Sequence, residues 1–154
     1  MQLFDVSQYE LAKMNEVDWS KTKHNIGVFL TVYKRSRERV GLSSIPKISP
    51  QAQLNEIEIQ SSKLSINKKD KEEFEHTQKC FRHGFYAITH PYRPDVTERR
   101  RKIFVYRYLQ GQSISIVSER INYQKNIIVN ESKMGIVQFS ASLDMLSRKI
   151  NKKT

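Results

Sequence analysis

Apolar residues recur at helical spacing through most of the chain, and their stripes divide it into segments. Between Ser20 and Arg39, Thr22, Ile26, Phe29, Leu30 and Tyr33 fall on one face. That pattern predicts an amphipathic helix capped by Asp18 or Ser20 and closed by Gly41. A second stripe, Phe74, Gln78, Phe81, Phe85 and Ile88, predicts a helix over Lys68 to Thr89. Asp70, Glu72, Glu73 and Glu75 lie in its early turns, where the helix dipole favours anions. After the break at Pro91 and Pro94, TERRRKIFVYRYLQ reads as a helix capped by Thr97 and ended by Gly111. Ile103, Phe104, Tyr106, Tyr108 and Leu109 make it apolar nearly all round, the pattern of a central core helix.

Residues 113–135, SISIVSERINYQKNIIVNESKMG, carry the most functional information. Ser113 suits the N-cap of a short helix burying Ile114, Val117 and Ile121, and Ser118 is small enough for a second helix to cross closely. Asn122 stands where a turn needs positive φ, and Tyr123 follows as an apolar plug. Gln124 then opens a longer helix with a buried edge through Ile128, Ser132, Gly135, Phe139 and Leu143. Two helices joined this way can set the second in a DNA major groove, and they also occur as plain core. The stretch between the first two helices, residues 42–66, is rich in Ser, Gln and Ile with Pro46 and Pro50. Alternation in Leu54, Ile57 and Ile59 allows only a short ordered piece, so it reads as a weakly packed linker.

The expected fold is therefore all-α. An N-terminal helix with basic ends occupies residues 1–41 and an irregular linker 42–66. A helical domain at 67–154 contains a central helix and the helix-turn-helix at 113–135. Five Gly and four Pro in 154 residues also favour helices over a turn-rich β fold.

Charge gives this pattern a direction. The chain carries 27 Lys and Arg against 16 Asp and Glu, a net +11. Residues 97–154 hold twelve bases and four acids, net +8, and residues 19–41 hold six bases and Glu38, net +5. Excess base concentrated around a candidate DNA reader is the footprint of a polyanion binder. The plainer reading is a protein that is simply basic. No apolar run approaches the roughly 18 residues that span a bilayer, and MQLFDVSQYELAK lacks a signal-peptide layout. No basic stretch shows a large apolar face with Trp or Phe anchors, so no membrane partner is expected. The single Cys80 cannot form an internal disulfide, which makes a reducing cytoplasm the expected compartment.

Candidate site residues follow from the helical wheel. With Ile128 buried, the reading helix exposes Asn126, Asn130, Lys133 and Val137, with Lys125 in its first turn. Asn pairs with adenine, Lys donates to guanine, and an aliphatic side chain touches the thymine methyl. Lys125, Asn126, Asn130 and Lys133 are thus the expected base readers. Gln124, Ser113, Ser115 and Arg120 are the expected phosphate contacts, and Lys125 at the helix start is placed for phosphate as well. Arg99, Arg100 and Arg101 join them, because cations at a helix start oppose the dipole and suggest a phosphate role; a solvated basic turn is the alternative. His76, Cys80 and His83 share one stripe at i, i+4 and i+7, but a closed zinc site normally draws ligands from two elements. Packing against a neighbour is the stronger reading, and no metal or cofactor is expected. No Ser-His-Asp set, paired carboxylates or Gly-rich phosphate loop appears, so an enzyme is not expected.

The run RRKIFVYRYLQGQSISIVSERINYQKNIIVNESKMGIVQFSASL resembles the C-terminal half of ArpU-type regulators of Gram-positive phages and prophages. That half itself resembles the promoter-reading region four of sigma factors. The matching features are Tyr106–Leu109, Val117–Ile121, Asn122–Tyr123–Gln124 and Phe139–Ser140. VDWSKTKHNIGVFLTVYKRSRERV is similar to the family's opening. Gln124 replaces a usual Ser, Gly135 a usual Ala, and Asn126, Asn130 and Glu131 stand where Lys or Arg is common. The resemblance implies an activator of phage late transcription bound to double-stranded DNA. Its N-terminal helix would contact host RNA polymerase or form a homodimer. A small-terminase-like packaging protein and a helix-turn-helix that binds a protein partner are the alternatives.

Overall fold

The computed structural model describes residues 14–55 and 67–150. Among them are five α-helices and no strand longer than an isolated bridge, an all-α fold as expected. A 3-10 turn at Met14–Glu16 leads into α1, Trp19–Arg39. Asp18 caps α1 by accepting from the Lys21 amide at 3.1 Å. At its other end Gly41, φ +84°, lets Leu42 N–H reach Arg37 O at 2.9 Å and its own N–H reach Glu38 O at 3.0 Å, a Schellman closure.

Helix α2, Lys68–Tyr86, is capped by Asn67 and ends three residues earlier than its stripe predicts. Ile88 remains fully buried beyond that end. Helix α3, Pro94–Phe104, starts three residues before the expected Thr97 cap, because Pro94 is preorganised for a first helical turn. Thr97 instead accepts from the His90 amide at 2.7 Å and pins the preceding loop. Val105–Leu109 continues α3 with wider π-type turns until Gly111, φ +66°. Helices α4, Ile114–Ile121, and α5, Lys125–Ser142, complete the set.

The main core joins Ile26, Leu30 and Tyr33 of α1 to Phe81 and Phe85 of α2, Phe104 of α3 and Ile136 and Phe139 of α5. Phe139 is the hub, with ring centroids 4.8 Å from Phe104, 5.9 Å from Phe81 and 6.1 Å from Phe29. Ile103, Val117 and Ile128 form a smaller cluster that holds α4 against α3 and α5.

Two expectations about organisation are corrected. Helix α1 is not set apart from the 67–154 segment, because its apolar stripe needs α2 and α5 as cover. Residues beyond α5 also run antiparallel to its approach: Asp18 N–H donates to Ser147 O, and Lys149 N–H to Glu16 O, each at 2.8 Å. Residues 42–55 are likewise no loose linker. Ala52 is wholly buried, Leu54 joins the main core, and Ile45 and Ile48 pack against it. Leu54 N–H donates to the Tyr86 hydroxyl at 3.1 Å. The remainder of the expected linker, with Ile57 and Ile59, lies outside the described residues. No helix among the described residues is long and apolar enough to cross a membrane.

Candidate nucleic-acid interface

Helices α4 and α5 are joined by Asn122, Tyr123 and Gln124. Ser113 caps α4 by accepting from the Ile116 amide at 3.2 Å. Asn122 takes the left-handed conformation, φ 59° and ψ 49°, that its position demands. Ser118 Oγ donates to Tyr123 O at 2.5 Å and Tyr123 N–H returns to Ser118 O, so the turn is tied to α4 from both sides. Gln124 precedes α5 in extended conformation and offers no side-chain cap, which leaves the first-turn amides without a side-chain acceptor.

The predicted buried edge of α5 is in place. Ile128, Ser132, Gly135 and Phe139 are buried and Leu143 is half-buried. Ser132 and Ser140 donate back to the carbonyls of Ile128 and Ile136, so their hydroxyls are satisfied inside the core. Lys125, Asn126, Asn130 and Lys133 are all exposed, the last three forming one stripe at i, i+4 and i+7. Lys133 Nζ lies 5.8 Å from the Trp19 ring centroid at the start of α1. Val137, expected on this stripe, is 1% exposed. The reason is that α5 is covered from two sides near its C-terminal half, by α3 and by α1 with α2.

On α4, Ser113, Ser115 and Arg120 are exposed, as is Gln124 in the turn. The Arg120 guanidinium stacks 3.8 Å from the Tyr106 centroid and donates to the side chains of Gln110 and Gln112 at 2.9 and 3.2 Å. Tyr123 is 42% exposed rather than buried as a plug. Its ring carries the Arg99 guanidinium at 4.7 Å. A surface aromatic at this turn was legible only as an apolar residue; nothing local announced its cationic partner.

The arginine run is the largest revision. Because α3 starts at Pro94, Arg99, Arg100 and Arg101 do not occupy its first turn, and the dipole argument for a phosphate role falls away. Arg100 is buried: its Nε donates to Glu131 Oε2 at 2.7 Å, and Nη1 to Thr89 O at 2.7 Å and Gln138 Oε1 at 3.2 Å. Arg99 Nη2 faces the other Glu131 oxygen at 3.7 Å. Arg101 donates from Nε to Ile88 O at 2.9 Å and lies over the Phe85 and Tyr86 rings. Burial pushes its guanidinium below its ordinary pKa. These side chains face inward and bind α3 to its neighbours. Glu131, which interrupts the expected basic helix, is the counter-ion of Arg99 and Arg100.

His76 and His83 are exposed and Cys80 is half-buried along α2. Among the described residues no group of three or more His, Cys, Asp or Glu is placed to hold a metal ion. Compared with family models, with curated proteins and with solved structures, the chain has no match.

Proposed function

We propose that this chain is a sequence-specific double-stranded-DNA-binding transcriptional regulator, with α4 and α5 acting as a helix-turn-helix. One observation carries the reading: Asn126, Asn130 and Lys133 form an exposed polar stripe on α5 that begins in its first turn, where Gln124 supplies no side-chain cap. Such a stripe suits the donor and acceptor pattern of a major groove, and a first turn without a side-chain cap suits a phosphate. Lys125, Gln124, Ser113, Ser115 and Arg120 surround it as exposed groups able to contact the backbone of the same duplex.

The resemblance to ArpU-type regulators gives the regulator a role, activation of phage late genes, with host RNA polymerase or a second copy as its protein partner. A reading stripe led by Asn gives modest affinity alone, so specificity draws on the surrounding cations or on that partner. The test is selection of bound fragments from host and phage genomic DNA, followed by binding to the enriched duplex at several salt concentrations. Enrichment beside a promoter and affinity that falls steeply with salt are expected. Enrichment at a packaging site instead would assign the DNA contacts to packaging. Absence of salt-dependent duplex binding would overturn the reading.

A further inference from the structure

A groove far from the start of α5 combines features that DNA binding does not use. It runs between α2 and the turn after α5 and has a volume of about 710 Å³. Its apolar lining comes from Cys80, Tyr86 and Leu143, and its polar lining from Lys79, Arg82, His76 and His83. Among the described residues, none that lines it is acidic. The Arg82 guanidinium lies 5.8 Å from the Tyr86 ring centroid, which holds a cation beside the apolar surface. Leu143 follows the last residue of α5, ~27 Å along the helix from Lys125.

We propose that this groove docks an amphipathic helix of a protein partner, with an apolar stripe flanked by Asp and Glu. The cations select for acidic flanks, and the apolar surface requires side chains that a sugar-phosphate backbone does not have. Two copies of this chain, each at net +11, repel one another over the long range, which favours a separate acidic partner. A helix would seat residues at i, i+3 or i+4 and i+7 along the groove, as amphipathic helices do elsewhere. The distance from Lys125 lets the groove be filled while α5 is occupied. Occupancy of the groove does not depend on DNA binding by α5.

The test is titration of the isotope-labelled full chain with a synthetic acidic helix of about 18 residues, Leu on one stripe and Glu on both flanks. A twin with Lys in place of Glu serves as the comparison. Saturable binding of the acidic peptide is expected, with amide shifts centred on residues 76–87 and 143. Lys79→Glu with Arg82→Glu, both on exposed positions, should weaken it by about tenfold or more. Cys80→Trp should weaken it by obstructing the groove, and Asn126→Ala should leave it unchanged. Equal binding of the two peptides, shifts spread over the basic surface, perturbation of the groove by duplex DNA alone, or self-association through these residues would each overturn the proposal.

Discussion

Arg100 on α3 and Glu131 on α5 meet at 2.7 Å with side chains only 7% and 12% exposed. The second Glu131 oxygen faces Arg99, so one carboxylate balances two mostly buried cations. Removing it leaves those charges in a poorly solvated site, where the loss of one partner is costly. Glu131→Gln should lower unfolding free energy by roughly 3 kcal/mol, read from the urea midpoint at unchanged slope. Replacing the pair together, Arg100→Met with Glu131→Leu, should recover much of that loss. A Glu131→Gln protein as stable as the parent would show that water reaches this pair.

Three helical glycines should respond in different ways. A Cβ at Gly84 would lie 2.6 and 2.7 Å from Phe139 ring atoms and 3.0 Å from a Leu143 methyl. Gly84→Ala forces α2 away from the hub of the core and should destabilise by about 1–3 kcal/mol, despite the better helix propensity. At Gly27 a Cβ meets nothing within 4 Å, and at Gly135 it makes ordinary contact with Phe104 at 3.6 Å. Ala at either position should add roughly 0.5–1 kcal/mol by removing backbone freedom from the unfolded chain. Thermal unfolding of the three single variants decides it. A more stable Gly84→Ala would mean that Phe139 can move aside.

These examples mark what could be read from sequence. The faces of α1 and α5 were legible because their burial follows a helical period, and Ser113 and Asn122 because cap and turn chemistry is local. Arg100 was misjudged because its partner is 31 residues away, and the start of α3 was misplaced by reading Thr97 as a cap. Val137 was misjudged for another reason. A wheel with one buried face cannot represent a helix covered on two sides. Arg37, at the basic end of α1, is only 1% exposed. Its Nε donates to Ser43 O at 2.6 Å, a partner supplied by a segment whose composition gave no sign of packing.

Tyr108 supplies a pH signature. Burial raises its phenol pKa above the ordinary value, against an opposing contribution from Arg107. A raised folded pKa means the folded state holds its proton more tightly than the unfolded chain. Its contribution is therefore complete below the ordinary tyrosine value of about 10 and is lost as pH rises through the higher folded value. Unfolding free energy of the parent should decline across that window more steeply than that of Tyr108→Phe. Parallel curves for the two proteins would remove this assignment.

The division of labour on α5 gives the most direct test of the proposed DNA contact. Asn126 and Asn130 can each pair with a base edge, so Ala at either should cost about 1–3 kcal/mol on the selected duplex. Random duplex, which offers no matched edge, should lose much less. Lys125 lies at the helix start, where a cation neutralises phosphate whatever the sequence. Lys125→Ala should therefore weaken both duplexes alike and reduce the salt slope by about one counter-ion. Arg100→Ala separates fold from contact: its guanidinium is buried against Glu131, so its effect should appear first in thermal stability. At temperatures where that variant remains folded, its salt slope should match the parent's. If Asn126→Ala, Asn130→Ala and Lys125→Ala lose equal affinity on selected and random DNA, α5 does not read sequence. Its exposed stripe must then serve another partner.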